Sequence, residues 1–288
     1  MRRLLQWSAV SWIVMVAAIV AQPDPAVRPA PPQTSSALSV GQQRAFLASA
    51  RIISWKETSK GVTRPLKVVL SDGTLTHAAS FQRVDISKPR VAAPAGVEPR
   101  FRDYYGYNIA AHQLACLINR CDLVPATVER LWRGDRGALC WWVDAVVMDE
   151  GERLAGGIEP PRQFEWVKQQ YLGRVFTELT GDADRNQTNI LITQDWRMVL
   201  IDFSRAFRLH HGPRPALLAV QGIDADVLEG LRALTGARLG EVAGHWLSSR
   251  EIAAVLARRD GILAHLDRLI AAKGYAQVVY PVGETARR

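Results

Sequence analysis

The chain has 288 residues, 48% hydrophobic and 22% charged, which is enough apolar chain for a sizeable core and excludes a disordered or fibrous protein. A formal net charge of +8 favours anionic partners: nucleotides, phospholipid headgroups or acidic proteins. No zinc-ligand spacing and no base-stacking aromatic motif accompanies that charge, so nucleic acid is not expected as a partner.

Residues 1–21 open on Arg2 and Arg3 and run apolar from Leu4 to Ala21, broken only by Gln6, Ser8 and Ser11. A charged start, an apolar middle and a small residue at Ala21 predict a secretory signal peptide. The run is also near the ~18-residue minimum for a spanning helix, so an uncleaved N-terminal membrane anchor is the second reading. Either way the rest of the chain is expected to be exported: periplasmic or otherwise extracytoplasmic, secreted or membrane-anchored. Residues 22–45, with Pro23, Pro25, Pro29, Pro31 and Pro32, predict an extended Pro-rich tether. A strand-rich lobe is expected over 46–145, a helical lobe over 146–280 and a tail over 281–288.

Within the first lobe, Ala50–Trp55 is a candidate strand. Leu66–Leu70 and Leu75–Gln82 are strands joined through Asp72-Gly73, a strong hairpin signal. Ala110, Leu114, Leu117 and Ile118 recur at helical spacing over Tyr107–Ile118. Val128–Trp132 and Ala138–Val143 form a second hairpin across Gly134–Gly137. Cys116, Cys121 and Cys140 cannot make a complete disulfide framework, because one is left over. All three are taken as small apolar core residues; a Cys116–Cys121 pair in an oxidising compartment is the alternative.

The second lobe is helical. Phe164, Val167, Tyr171, Val175 and Leu179 mark one face of a helix that runs into the stretch Gly181–Ser204. Asp224 precedes a short helix carrying Val227, Leu228, Leu231 and Leu234. Ser248-x-x-Glu251 is a capping box that opens a long final helix. His210-His211 is expected to be a solvated loop pair.

Gly181–Ser204 organises the rest. Two apolar runs, Ile190–Ile192 and Met198–Ile201, flank the polar turn Thr193–Arg197, the pattern of a buried hairpin. A loop with Asp184 and Asn189 enters it and Asp202 leaves it, so two carboxylates and an amide are brought to one end. Oxygen ligands on a rigid base suit a hard cation such as Mg²⁺, with phosphate oxygens completing the shell. Asn186-Gln187-Thr188 also fits a glycosylation acceptor, and a glycan there would block the site.

Asp184-Arg185-x-x-x-Asn189, followed by Ile201-Asp202-Phe203, resembles the catalytic and metal-binding segments of the atypical kinases. These are the phosphoinositide lipid kinases, the HipA-type kinases and the secretory-pathway protein kinases. The chain is most similar to bacterial exported members of that superfamily. The resemblance spans about residues 45–275 and implies an α+β, two-lobed kinase-like fold, with a strand-rich small lobe and a mainly helical large lobe. It implies ATP and Mg²⁺ (or Mn²⁺) as cofactors. Asp184 and Arg185 would be the catalytic residues, Asp184 as the base, and Asn189 and Asp202 would be the metal ligands. Ser204 stands where many kinases have Gly.

The nucleotide side departs from the family pattern. Lys60-Gly61-Val62-Thr63 is the candidate phosphate cover, a plain turn being the alternative. Gln82 stands where the family has its strand lysine, and Asn108 where the lysine's glutamate partner is expected. Two neutral amides can bond each other, replacing an ion pair by an amide pair. Lys67 or Arg83 is placed to supply the missing charge. Trp142, in Trp141-Trp142-Val143, lies where kinases hold adenine, a plain core pair of tryptophans being the alternative. Arg205, Arg208, His210, His211 and Arg214 are expected as a solvated loop, with an acidic or phosphorylated substrate as the sharper reading. Two functions follow: an exported Mg²⁺-dependent phosphotransferase acting on a protein, lipid or sugar hydroxyl, or a pseudokinase-like binding module that does not transfer phosphate.

Overall fold

The computed structural model describes residues 38–58, 65–93, 96–182, 185–210 and 212–281. The leader, most of the tether and the tail therefore lie outside the described residues. Among the described residues no helix is long and apolar enough to cross a membrane.

The first element is a helix that the sequence pattern did not announce, α1 (Val40–Ser49), opened by a capping box between Ser39 and Gln42. It lays Phe46 and Leu47 on a sheet, and Arg130 closes its far end by donating to the carbonyls of Leu47 and Ala50. The sheet comprises β1 (Arg51–Glu57), β2 (Leu66–Ser71) and β3 (Thr76–Gln82), then β6 (Thr127–Trp132) and β7 (Asp135–Trp141). Its order is β1-β2-β3-β7-β6, every pairing antiparallel. Alternation gives it two distinct faces. Leu66, Val68, Leu70, Ala79, Phe81, Leu139 and Trp141 are buried together against α1. Lys67, Ser80, Gln82 and Cys140 take the other face, with Lys67 opposite Ser80 and Ser80 opposite Cys140.

Between β3 and β6 come a two-stranded ribbon, β4 (Asp85–Ala93) with β5 (Gly96–Tyr104), and helix α2 (Gly106–Leu117). The ribbon, too, was missed by the sequence reading. Pro89 and Pro99 argue against strands in a closed sheet, but a ribbon with two open edges tolerates them. Helix α2 is nearly enclosed and shares a core with the helical half of the chain. A left-handed Asn119 (φ 62°) turns the chain back after it, and Cys116 and Cys121 form a disulfide. This corrects the reading of Cys116 and Cys121 as core thiols: the turn, invisible in composition, brings the pair together. Cys140 is free.

His112 of α2 is fully buried, with Nδ1 bonded to the Val124 carbonyl at 3.1 Å. Burial pushes it from 6.5 down to about 4, against the opposing pull of that carbonyl. The unfolded chain takes up this proton near 6.5 while the folded chain resists it. Stability is therefore full above 6.5 and declines as pH falls toward about 4. Urea midpoints across that window should drop in the parent and drop less in His112→Gln.

The helical half begins with β8 (Val146–Asp149) and the capped α3 (Glu150–Ala155), then α4 (Gln163–Thr180). The predicted hairpin is β9 (Ile190–Thr193) with β10 (Met198–Leu200), entered through a single 3₁₀ turn, and β8 adds to it in the order β10-β9-β8. The chain continues through α5 (Pro215–Leu218), β11 (Ile223–Asp224), α6 (Ala225–Ala233), α7 (Gly236–Ala243) and α8 (Ser249–Lys273). It closes with α9 (Tyr275–Val278) and β12 (Val279–Tyr280), which pairs parallel with β11. Ser248 and Glu251 form the expected capping box of α8. Val175, Phe176 and Leu179 of α4 meet Val255, Ile262 and Leu266 of α8 and Ile109 and Leu114 of α2 in one core. The hairpin is anchored in that core by Ile192 and Leu200.

Candidate functional site

The hairpin register pairs Leu200 with Ile190, and beyond that pair the Ile201 N–H donates to the Asn189 carbonyl at 3.0 Å. Asn189 and Asp202 consequently sit at the same open end. Asp202 is exposed and left-handed (φ 56°), a conformation that Asp tolerates better than most side chains. Asp184 lies outside the described residues.

A chain of amides connects this end to the sheet. The Phe203 N–H donates to Asn108 Oδ1 at 2.8 Å, Asn108 Nδ2 donates to Gln82 Oε1 at 2.6 Å, and Gln82 Nε2 donates to Asp202 Oδ1 at 3.4 Å. A backbone N–H can only donate, so it fixes the Asn108 amide, which fixes that of Gln82 in turn. The series ends correctly on a carboxylate. Ser204 adds its hydroxyl to the same Asp202 oxygen at 3.1 Å, a bond that the glycine common at this place cannot make. Strand β3, helix α2 and the loop after β10 are thus tied by side chains at the positions where an ion pair was expected.

Arg185 is buried beneath the loop, its side chain only 7% exposed. It pairs with Asp182 at 2.5 Å and donates to the carbonyls of Asn189, Ile201 and Asp202. Its guanidinium lies 4.2 Å from the centre of the Phe203 ring, which packs edge-on to Phe176. Arg185 therefore holds both strands of the site in place. Asp182 was missed from sequence; the only local signal was its spacing, three residues before Arg185.

On the sheet face above, Lys67 Nζ stands 3.8 Å over the Trp142 ring. Arg83 is drawn to Asp135 at 2.5 Å. Burial pushes the Cys140 thiol up to about 11, and the Asp202 carboxylate adds to that rise. Lys60, Gly61 and Thr63 lie outside the described residues. The basic run after Asp202 is tied down rather than solvated. Arg205 bonds Asp103 at 3.3 Å, and Arg214 bonds Glu178 at 2.9 Å and the Asp182 carbonyl at 2.6 Å. His211 is outside the described residues. Between α3, α4 and the hairpin lies a cavity of about 560 Å³, lined in part by Arg153, Arg174, Arg185, Glu178 and Arg214.

Among the described residues no three His, Cys, Asp or Glu side chains cluster as a metal site. Asp202 and Asn189 nonetheless offer the oxygen donors that a hard divalent cation takes, at one end of the hairpin.

No protein-family model matches the chain, and no curated protein matches its sequence. Among solved structures, hydra Fam20 with sugar aligns at a TM-score of 0.63 and 14% identity, covering 84% of this chain and 92% of that one. The Golgi casein kinase aligns at 0.61 and 11% identity, covering 83% and 79%. The same kinase with Mn/ADP bound aligns at 0.57 and 12% identity, covering 85% and 80%. The Helicobacter pylori proinflammatory kinase CtkA aligns at 0.51 and 11% identity, covering 79% and 98%. The architecture of this chain, a strand-rich part followed by a mainly helical one, is the kinase-like fold that these solved structures share.

Proposed function

We propose that the chain is an exported phosphotransferase that uses ATP with Mg²⁺ or Mn²⁺ on a hydroxyl of a protein, lipid or sugar. The observation that carries this reading is the exposed Asp202 carboxylate, aligned by Ser204 and Gln82 and sharing its end of the hairpin with Asn189. Asp202 and Asn189 would hold the divalent ion on the nucleotide phosphates. The ion supplies charge neutralisation for phosphoryl transfer when bound. Asp184 would orient the acceptor hydroxyl and take its proton. Arg185 keeps the two strands of the site in register. The bound Mn/ADP of the Golgi casein kinase supports a metal and a nucleotide here as well. The Cys116–Cys121 disulfide suits an oxidising compartment, in keeping with the leader.

A second reading, a binding module without transfer, draws on the Gln82–Asn108 amide bond in place of a charged pair. Thermal melting with nucleotide, followed by a turnover assay, separates the two. At 100 times its dissociation constant, Mg-ATP should add about 2.7 kcal/mol of stability. That corresponds to a rise of roughly 5–10 °C for a domain of this size. Asp202→Ala should lose the rise, and turnover should be present only in the parent. No rise with ATP and either metal would remove the phosphotransferase and favour the binding module, and turnover that persists in Asp202→Ala would remove the metal assignment.

A further inference from the structure

The deepest departure of this site from the kinase pattern is Gln82, because a neutral amide leaves no lysine charge on β3 to meet the nucleotide phosphates. The sheet offers a replacement one strand away. Lys67 on β2 pairs with Ser80 on β3, on the face that also carries Gln82 and Cys140. Ser80 lies midway along β3 between Ala78, whose carbonyl accepts the Trp142 N–H at 3.2 Å, and Gln82, whose amide reaches Asp202. Two residues of strand in either direction is about 6.7 Å, within the sweep of a flexible four-carbon stem. Arg83, the other cation beside Gln82, is held by Asp135. Among the described residues no carboxylate pairs with Lys67; its ammonium rests on the Trp142 indole at 3.8 Å.

An indole face is also where a flat nucleobase stacks, and it cannot carry an ammonium and a base on the same side at once. We infer that Lys67 is the phosphate-binding cation of this site, docked on Trp142 until a nucleobase claims that face. The nucleobase takes over the Trp142 face and sends the ammonium along β3 to the phosphates. The lysine missing from β3 is thereby supplied from β2, and base binding and phosphate binding are coupled through one indole. Without a base the cation stays docked and the phosphate side lacks its charge. This inference rests on the nucleotide reading above and specifies its phosphate contact.

Calorimetric titration of the full chain with Mg-ATP and, separately, with adenosine tests it, each variant first being checked for a cooperative melt. Lys67→Ala should bind Mg-ATP at least about tenfold more weakly, as expected for loss of a charge-assisted contact. The same variant should bind adenosine as well as the parent or better, since the indole is already clear. Trp142→Leu should weaken both ligands, and Lys67→Arg should recover part of the Mg-ATP affinity. If Lys67→Ala binds Mg-ATP like the parent while Asp202→Ala does not, nucleotide binding stands and the role of Lys67 is overturned. Equal losses of adenosine and Mg-ATP in Lys67→Ala would overturn the exchange at Trp142. A parent that binds neither ligand removes this inference together with the reading beneath it.

Discussion

Arg258→Met is expected to lower unfolding stability by about 3–5 kcal/mol, because three carbonyls lose a charged donor. Arg258 of α8 is 1% exposed. Burial pushes it down to about 10, which still leaves it charged at neutral pH. It faces carbonyls: Leu179 at the end of α4 (3.1 Å), Arg208 (2.5 Å) and His210 (2.8 Å). The Leu179 carbonyl belongs to the last turn of α4, where acceptors lack helical partners and a cation is favoured by the helix dipole. Methionine fills similar space but leaves these acceptors unmet, at about 1–3 kcal/mol each where water cannot replace the bond. The same guanidinium packs on Gly181, the left-handed cap of α4 (φ 60°), where a Cβ would come within 2.7 Å of Arg258 Cζ. Gly181→Ala should therefore also destabilise, through backbone conformation and through this collision. Arg258→Lys keeps the charge but not the fork, and should recover only part of the loss. Urea unfolding at neutral pH measures all three; an Arg258→Met midpoint equal to the parent's would end the argument. Because Arg258 ties α4 to the segment after Asp202, the variant should also bind Mg-ATP less well at temperatures where it remains folded.

Arg258 also shows where the sequence stops being readable. Its bond to Leu179 spans 79 residues, and no local pattern marks an arginine in an amphipathic helix as the clamp of a distant loop. What was legible rests on short-range physics. The Asp72-Gly73 turn works because Gly73 adopts φ 93° between two alternating runs. The Ser248–Glu251 box starts α8 where its side chains can bond their own helix. The site hairpin was visible because two apolar runs flank a polar turn. Helix α1 was not, since Val40, Phe46 and Leu47 draw no helical stripe and most of its residues are exposed. Strand β8 has only four residues, with Val146 and Val147 exposed, and becomes a strand by pairing with β9. At the site, the amide pair was legible because Gln82 and Asn108 stand at two positions that normally complement each other. The onward bonds to Phe203 and Asp202 needed the fold.

Asn108→Leu should separate that amide chain from the rest of the site. Leucine keeps the volume and the helix, so α2 has little reason to move. It leaves the Phe203 N–H, in a buried setting, without its acceptor, at about 1–3 kcal/mol. It also releases Gln82, and with it one of the two side-chain donors on Asp202. The expected result is a modest loss of stability and a larger loss of Mg-ATP affinity, about tenfold or more, because Asp202 no longer has its fixed orientation. Asn108→Asp makes a sharper test. An ionised carboxylate still accepts the Phe203 N–H but cannot donate to Gln82 Oε1. The Gln82 amide then turns its N–H₂ toward α2 and its oxygen toward Asp202, so two acceptors face each other. Stability should fall as well, because the carboxylate sits at a position only 7% exposed and gives up the bond to the Tyr105 carbonyl, and metal-dependent binding should fall further. Combining Asn108→Asp with Gln82→Lys installs an ion pair in the same place. If the amide pair stands in for that ion pair, the double variant should bind Mg-ATP better than the two single effects combined, by about tenfold, or roughly 1.4 kcal/mol of coupling. Strict additivity would mean that Gln82 and Asn108 brace the loop independently, and that the charge this site needs comes from elsewhere on the sheet.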